Sequence, residues 1–216
     1  AFASVAGSLI AKGTSSQKIV FNTVGRWDLR AAILHTSGED YSMVFDHITI
    51  NGSSGSFTSN SWDNFSLTNS YLSNFASLSV VSGAVSGNTF INVITMNVDN
   101  VHGQLEQFTN NCIKNLGERT QFGGNSYSIT TILMNSRQNG ALISGNSFYI
   151  ADKTQTSVRG GYRDLEADLS NNYWGGLSDD EGKAIMSVNS LTFVVSTTYL
   201  PTLSSPHPDT PTCGNN

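Results

Sequence analysis

The sequence predicts an all-β chain wound as a parallel β-helix, a solenoid of short strands stacked coil upon coil, with one short C-terminal helix. Three observations predict it. Before residue 178 no segment sustains apolar residues at i, i+3, i+4 and i+7 behind a capping residue. Short β-branched or aromatic stretches bounded by Gly, Asn and Ser recur instead, among them Lys18-Ile19-Val20-Phe21, Ser42-Met43-Val44-Phe45, Ile48-Thr49-Ile50, Leu78-Ser79-Val80-Val81, Ile129-Thr130-Thr131-Ile132-Leu133 and Phe148-Tyr149-Ile150. A hexad also repeats along the chain: apolar, any, Gly or Asn, Asn, any, apolar.

Strict copies of the hexad run Val85 to Phe90, Phe108 to Ile113, Phe122 to Tyr127, Ile143 to Phe148 and Leu169 to Trp174, with looser copies at Phe45 to Ile50 and Leu67 to Leu72. The first apolar residues fall at 45, 67, 85, 108, 122, 143 and 169, and most steps between them are 18 to 26 residues, as one solenoid turn requires. The step of 14 is the exception, so one of the copies at 108 and 122 is expected on another face. A sandwich with Asn-Gly turns is the competing fold, but its strands alternate in longer runs.

Stacking explains the hexad. Its two apolar residues point into a narrow core, and the Gly or Asn between them bends the chain in the left-handed region. An inward Asn after that bend can bond its counterparts in the coils above and below, so that a stacked amide ladder satisfies polar groups buried at the corner.

The C-terminal end reads differently. Ser178 is an N-cap for a helix through Met186, with Glu181 three residues later and acids in the first turn, placed to cover the end of the stack. Beyond it, Ser204-Ser205-Pro206-His207-Pro208-Asp209-Thr210-Pro211 cannot continue a ladder. The expected division is a β-helix domain at 1–203 and a Pro-rich tail or linker at 204–216.

Charged residues make up only 12% of the 216, about half of what is usual, and Ser, Thr, Asn and Gly take up the difference. The net charge is −5 and the eleven Lys and Arg are scattered, which argues against a nucleic-acid partner. No apolar run approaches a membrane span. Ala1 to Leu9 lacks the form of a signal peptide, so any export signal is expected upstream or already removed. Cys112 and Cys213 stand far apart, and nothing in their spacing says whether they pair. The sequons at Asn51 and Asn64 matter only on a eukaryotic secretory route.

Two further series bear on family. Gly7-Ser8-Leu9-Ile10-Ala11-Lys12-Gly13-Thr14, then Lys18 to Phe21 and Arg26-Trp27, opens the chain, and Asn171-Asn172-Tyr173-Trp174-Gly175-Gly176 with a later Tyr199-Leu200-Pro201 closes it. With the hexads, these resemble the right-handed parallel β-helix superfamily, the pectate-lyase-like fold, including secreted and surface members with an NNYWG closing coil. The resemblance implies that coils usually precede the first one here. It says little of activity, because the superfamily holds polysaccharide lyases, hydrolases, epimerases, adhesins and coils without catalysis.

Three groups are candidates for chemistry. Asp46-His47 faintly resembles the Asp-His of pectate-lyase-like coils, although neighbours on a strand point to opposite faces and a solvent-facing polar pair is the plainer reading. Asp99, His102 and Glu106 lie in an insertion, without the paired Asp and Gly-His-Gly motifs of polygalacturonase-like hydrolases. Asp152, Lys153, Arg159, Arg163, Asp164, Glu166 and Asp168 form the densest charge cluster, able to meet an acidic glycan or to pair among themselves on a solvated loop. Trp27, Trp62 and Tyr162 are candidates to stack on sugars, whereas Trp174 belongs to the core. His35, His47, His102 and His207 show no paired spacing and no carboxylate run forms a calcium loop, so neither metal nor cofactor is expected. The expectation is a non-catalytic extracellular or cell-surface structural or adhesive module, self-assembling or part of a longer surface protein, with polysaccharide or copies of itself as partners. The alternatives are a lyase or epimerase acting on an acidic glycan, and a carbohydrate-binding β-helix.

Overall fold

Each short strand finds its counterpart one turn further along the chain, and the result in the computed structural model is a parallel β-helix. The structure describes residues 8–22, 42–52, 56–59, 65–80, 83–99, 105–116, 130–135, 142–150, 156–160, 167–186, 197–198 and 202–213. One sheet runs in the order Leu9–Lys12, Met43–Asp46, Phe65–Thr68, Gly83–Ser86, Leu105–Thr109, Leu142–Ser144. The other runs Ile19–Asn22, Ile48–Asn51, Tyr71–Val80, Thr89–Asp99, Cys112–Leu116, Ser147–Ile150. Ser56–Ser59 pairs with Tyr71–Val80, and Thr130–Asn135 pairs with both Thr89–Asp99 and Thr156–Gly160. Every pairing between these strands is parallel.

The hexads set the register. Phe45, Leu67, Val85, Phe108 and Ile143 stand in one column, and Ile50, Leu72, Phe90, Ile113 and Phe148 in the next. All ten are buried. Because Phe108 pairs directly with Ile143, the hexad at Phe122 forms no coil between them in this sheet, and its own residues lie outside those described. Rings fill the core across the coils: Phe45 meets Phe21 and Phe65, Phe57 meets Phe65 and Phe75, and Phe90 stacks on Phe108. At the C-terminal end Trp174 is buried and stacks on Phe148 with centroids 4.4 Å apart.

The third hexad position turns the corner between the sheets. His47, Asn69, Gly87, Asn110, Gly145 and Asn171 all have positive φ, from 50° to 67°. The fourth position then aims inward, and Asn88, Asn111, Asn146 and Asn172 are wholly buried there. Each of the first three donates from Nδ2 to the Oδ1 of the next, at 3.0 Å every time. The same Oδ1 accepts the main-chain N–H of the preceding Asn, and each Nδ2 also reaches a carbonyl of the coil before it, at Leu67, Val85, Phe108 and Ile143. The ladder steps down to a hydroxyl at Ser70, which accepts the N–H of Ile48 and whose own N–H reaches Asn88 Oδ1.

A helix and a Pro-rich segment follow the coil of Trp174. Ser178 and Glu181 form the reciprocal capping box, Ser178 N–H to Glu181 Oε2 at 2.9 Å and Glu181 N–H to Ser178 Oγ at 3.3 Å, ahead of the helix Asp179–Met186. The Pro-rich segment adds no strand, yet it is not a free tail. Its residues 202–213 climb back along the corner: Leu203 N–H donates to Asn172 O, Thr210 Oγ1 to Gly145 O at 3.1 Å, and Cys213 is bonded to Cys112 with Cα atoms 5.8 Å apart. Composition rules out a ladder here but not a strap laid across the coils, which needs no strand geometry.

Candidate functional site

Of the predicted candidates, Asp46 and His47 are the pair the structure describes in full, and it corrects the expectation that their side chains diverge. His47 has φ 51°, so the alternation of a strand breaks between the two residues. Its Nδ1 comes to 3.0 Å from Asp46 Oδ1, close enough for an ion pair when the ring is protonated but without the alignment of a hydrogen bond. Neither side chain is freely exposed, at 24% and 28%. The carboxylate is already engaged with the next coil, since Asp46 Oδ1 accepts from Thr68 Oγ1 at 2.8 Å and Asn69 Nδ2 at 3.0 Å.

Burial pushes the Asp46 carboxyl upward, but the bonds from Asn69 and Thr68, with His47 beside them, outweigh it and hold the group below its ordinary value. A depressed pKa in the folded state contributes stability that is complete above the unfolded value of about 4 and is lost as pH falls through the folded one. The stability advantage of the wild type over Asp46→Asn is therefore expected to hold near neutrality, to begin to fall below roughly pH 4, and to vanish only once the pH has dropped below the depressed folded value. Urea midpoints of both proteins across that range check it, and an advantage that persists in acid would show that the carboxylate's charge is not its source.

The other candidates are not brought together among the described residues. Asp99 ends its strand opposite Asn135, Glu106 sits at a register shift between Leu105 and Gln107, and Arg159 pairs in register with Leu133. Asp168 pairs with Thr198. His102, Arg163, Asp152, Lys153, Asp164 and Glu166 lie outside the described residues, as do Trp27, Trp62, Tyr162 and the sequon residue Asn64. No group of three or more His, Cys, Asp or Glu is placed to hold a metal among those described.

Asn51, the other sequon residue, belongs to a second amide ladder that lies outside the hexads. Asn74 Nδ2 donates to Asn51 Oδ1, Asn92 to Asn74 and Asn115 to Asn92, at 2.9 to 3.0 Å. Asn74, Asn92 and Asn115 have φ between 55° and 59°, so they form a second left-handed corner, and in Tyr71–Val80 and Thr89–Asp99 the strand carries on past it. The sequence signal is an Asn two places after the hexad's last apolar residue, in Leu72-Ser73-Asn74, Phe90-Ile91-Asn92 and Ile113-Lys114-Asn115.

The N-terminal coil is built differently from the C-terminal one. In Leu9–Lys12 the N–H of Leu9 donates to Ser42 O and that of the following Gly13 to Asp46 O, so the main-chain groups of Ile10 and Lys12 face away from the next coil. Leu9–Lys12 and Ile19–Asn22 are the outermost strands of their sheets among the described residues. They carry the exposed apolar side chains Ile10, Ile19 and Val20, the first at 61% and the last at 58%. Lys12 and Lys18 stand exposed beside them, charges of the kind that discourage casual edge pairing.

Comparisons with protein-family models, with curated proteins and with solved structures return no match to this chain.

Proposed function

We propose that this chain is a non-catalytic structural module of the right-handed parallel β-helix superfamily, acting outside the cell or at its surface. The observation that carries the reading is where the polar side chains are spent. Asp46, of the candidate Asp-His pair, is bonded to Thr68 and Asn69, and the two Asn ladders likewise join coil to coil. Such a network supports a stiff wall more readily than it supports turnover, which needs groups turned toward a substrate. The disulfide supports an oxidising compartment, and the exposed apolar side chains of Ile10 and Val20 support contact with another copy of the chain.

Two measurements test this. Incubation with acidic polysaccharides is expected to give no unsaturated uronate by ultraviolet absorbance; a product that Asp46→Asn abolishes would establish a lyase instead. In sedimentation velocity the protein is expected to associate as its concentration rises, and Ile10→Lys with Val20→Lys to remove that association. A wild type that stays monomeric throughout would sink the self-assembly part.

A further inference from the structure

We propose that the Cys112–Cys213 disulfide is a thiol–disulfide exchange site through which a dithiol reductant releases the C-terminal strap from the corner of the solenoid. The two sulfurs differ in surroundings. Cys112 belongs to the strand Cys112–Leu116, is 1% exposed, and is held in register between Thr89 and Ser147. Cys213 is half-buried on the strap. Exchange needs a thiolate to approach the sulfur it attacks, so Cys213 is the point of entry and Cys112 the leaving group.

The chemistry balances. One thiolate of the dithiol bonds to Sγ of Cys213 as the Cys112–Cys213 bond breaks, and the Cys112 thiolate takes up a proton. The second thiol of the reductant then attacks the mixed disulfide and frees Cys213 as a thiol. Two electrons and two protons pass to the protein, and the reductant leaves as its own cyclic disulfide.

Release follows because little else that is bonded fastens the strap. Along 202–213 its bonds to the coils are Leu203 N–H to Asn172 O at 3.0 Å, Thr210 Oγ1 to Gly145 O at 3.1 Å and a 3.5 Å contact between Ser147 Oγ and Thr210 Oγ1. Its other bonds are internal, such as Thr210 N–H to His207 O. Most of its side chains are exposed, so these contacts do not offset the entropy of ordering a dozen residues. The coils beneath depend on other bonds: Cys112 N–H to Asn88 O and Ser147 N–H to Asn111 O belong to the ladder and need no strap. Reduction therefore uncovers Cys112, Ser147 and the Gly145 carbonyl on a stack that stays folded. The exchange depends on the disulfide and the strap alone, whatever the module does.

Hydrogen exchange read by mass spectrometry on the full chain tests it, with dithiothreitol as the dithiol and no denaturant. Exchange at Leu203 and Thr210 is expected to speed up by roughly 100-fold on reduction, while Asn88, Asn111 and Asn146 keep their protection. A monothiol probe, glutathione, is expected to be trapped on Cys213 in preference to Cys112. The Cys112→Ser, Cys213→Ser double variant should show the loose strap without reductant. A strap that stays protected after reduction, a ladder that loses protection with it, or a disulfide that dithiothreitol opens only in denaturant would each overturn the proposal. Should the double variant fail to fold, the wild type before and after reduction still decides.

Discussion

Replacing Asn111 with Leu is expected to lower the stability of the fold by about 2 to 5 kcal/mol, although the two side chains are close in size. Asn111 is wholly buried, and its Oδ1 accepts from both the main-chain N–H and the Nδ2 of Asn88. Its own Nδ2 reaches Val85 O and Asn146 Oδ1. Leu would leave the Asn88 N–H and the Val85 carbonyl without these partners, at about 1 to 3 kcal/mol for each buried group stranded. The damage then spreads along the stack, because every rung positions the next. The outer ladder supplies the contrast. Asn92 is only part-buried, and Asn92→Gly keeps the left-handed backbone at φ 55° while removing two ladder bonds, the one to Asn74 and the one from Asn115, at about 1 to 2 kcal/mol together. Urea unfolding of the two variants measures both effects. Equal losses would mean that burial does not set the value of a rung.

That contrast also shows why one ladder was legible in the sequence and the other was not. The inner Asn is bracketed by two apolar residues and follows a Gly or Asn, so four of the hexad's six positions are constrained by one corner. The outer Asn is constrained only by its left-handed φ and by its neighbours in the stack, and a polar chain rich in Asn hides it. Asp46 and His47 were legible as residues but not as a pair, since whether they meet depends on the backbone sign at His47, where Asn69, Gly87 and Asn110 set the pattern in later coils. The strap was illegible for another reason. Its fastening joins residues 101 apart through a disulfide and a few hydrogen bonds, none of which leaves a periodic trace. The hexad at Phe122 shows the converse limit, for the pattern recurs there while the register carries Phe108 directly to Ile143.

Gly83→Ala is expected to be the most damaging single-methyl change in the stack, costing about 3 kcal/mol or more, or preventing recovery of folded protein. Gly83 lies two places before a hexad, is buried, pairs with Leu105 in one neighbouring coil and lies against Phe65 of the other. A Cβ there would run into the carbonyl oxygen of Phe65 and stand 2.8 Å from the Phe65 Cβ, on a residue whose φ is +70°. Both obstacles are backbone or nearly so, and no rotamer relieves them. Gly87, with φ +66°, faces a milder neighbour: its Cβ would lie 3.0 Å from Asn69 Oδ1, a side-chain atom able to shift. Gly87→Asn also installs the residue that occupies the same corner at 69, 110 and 171, so its cost is expected within about 1 kcal/mol. Soluble yield and urea midpoints separate the two glycines. Combining Phe65→Ala with Gly83→Ala decides why: if the main-chain carbonyl is the obstacle, removing the ring restores nothing and adds about 3 to 5 kcal/mol of its own. Rescue by the double change would place the conflict in the ring instead.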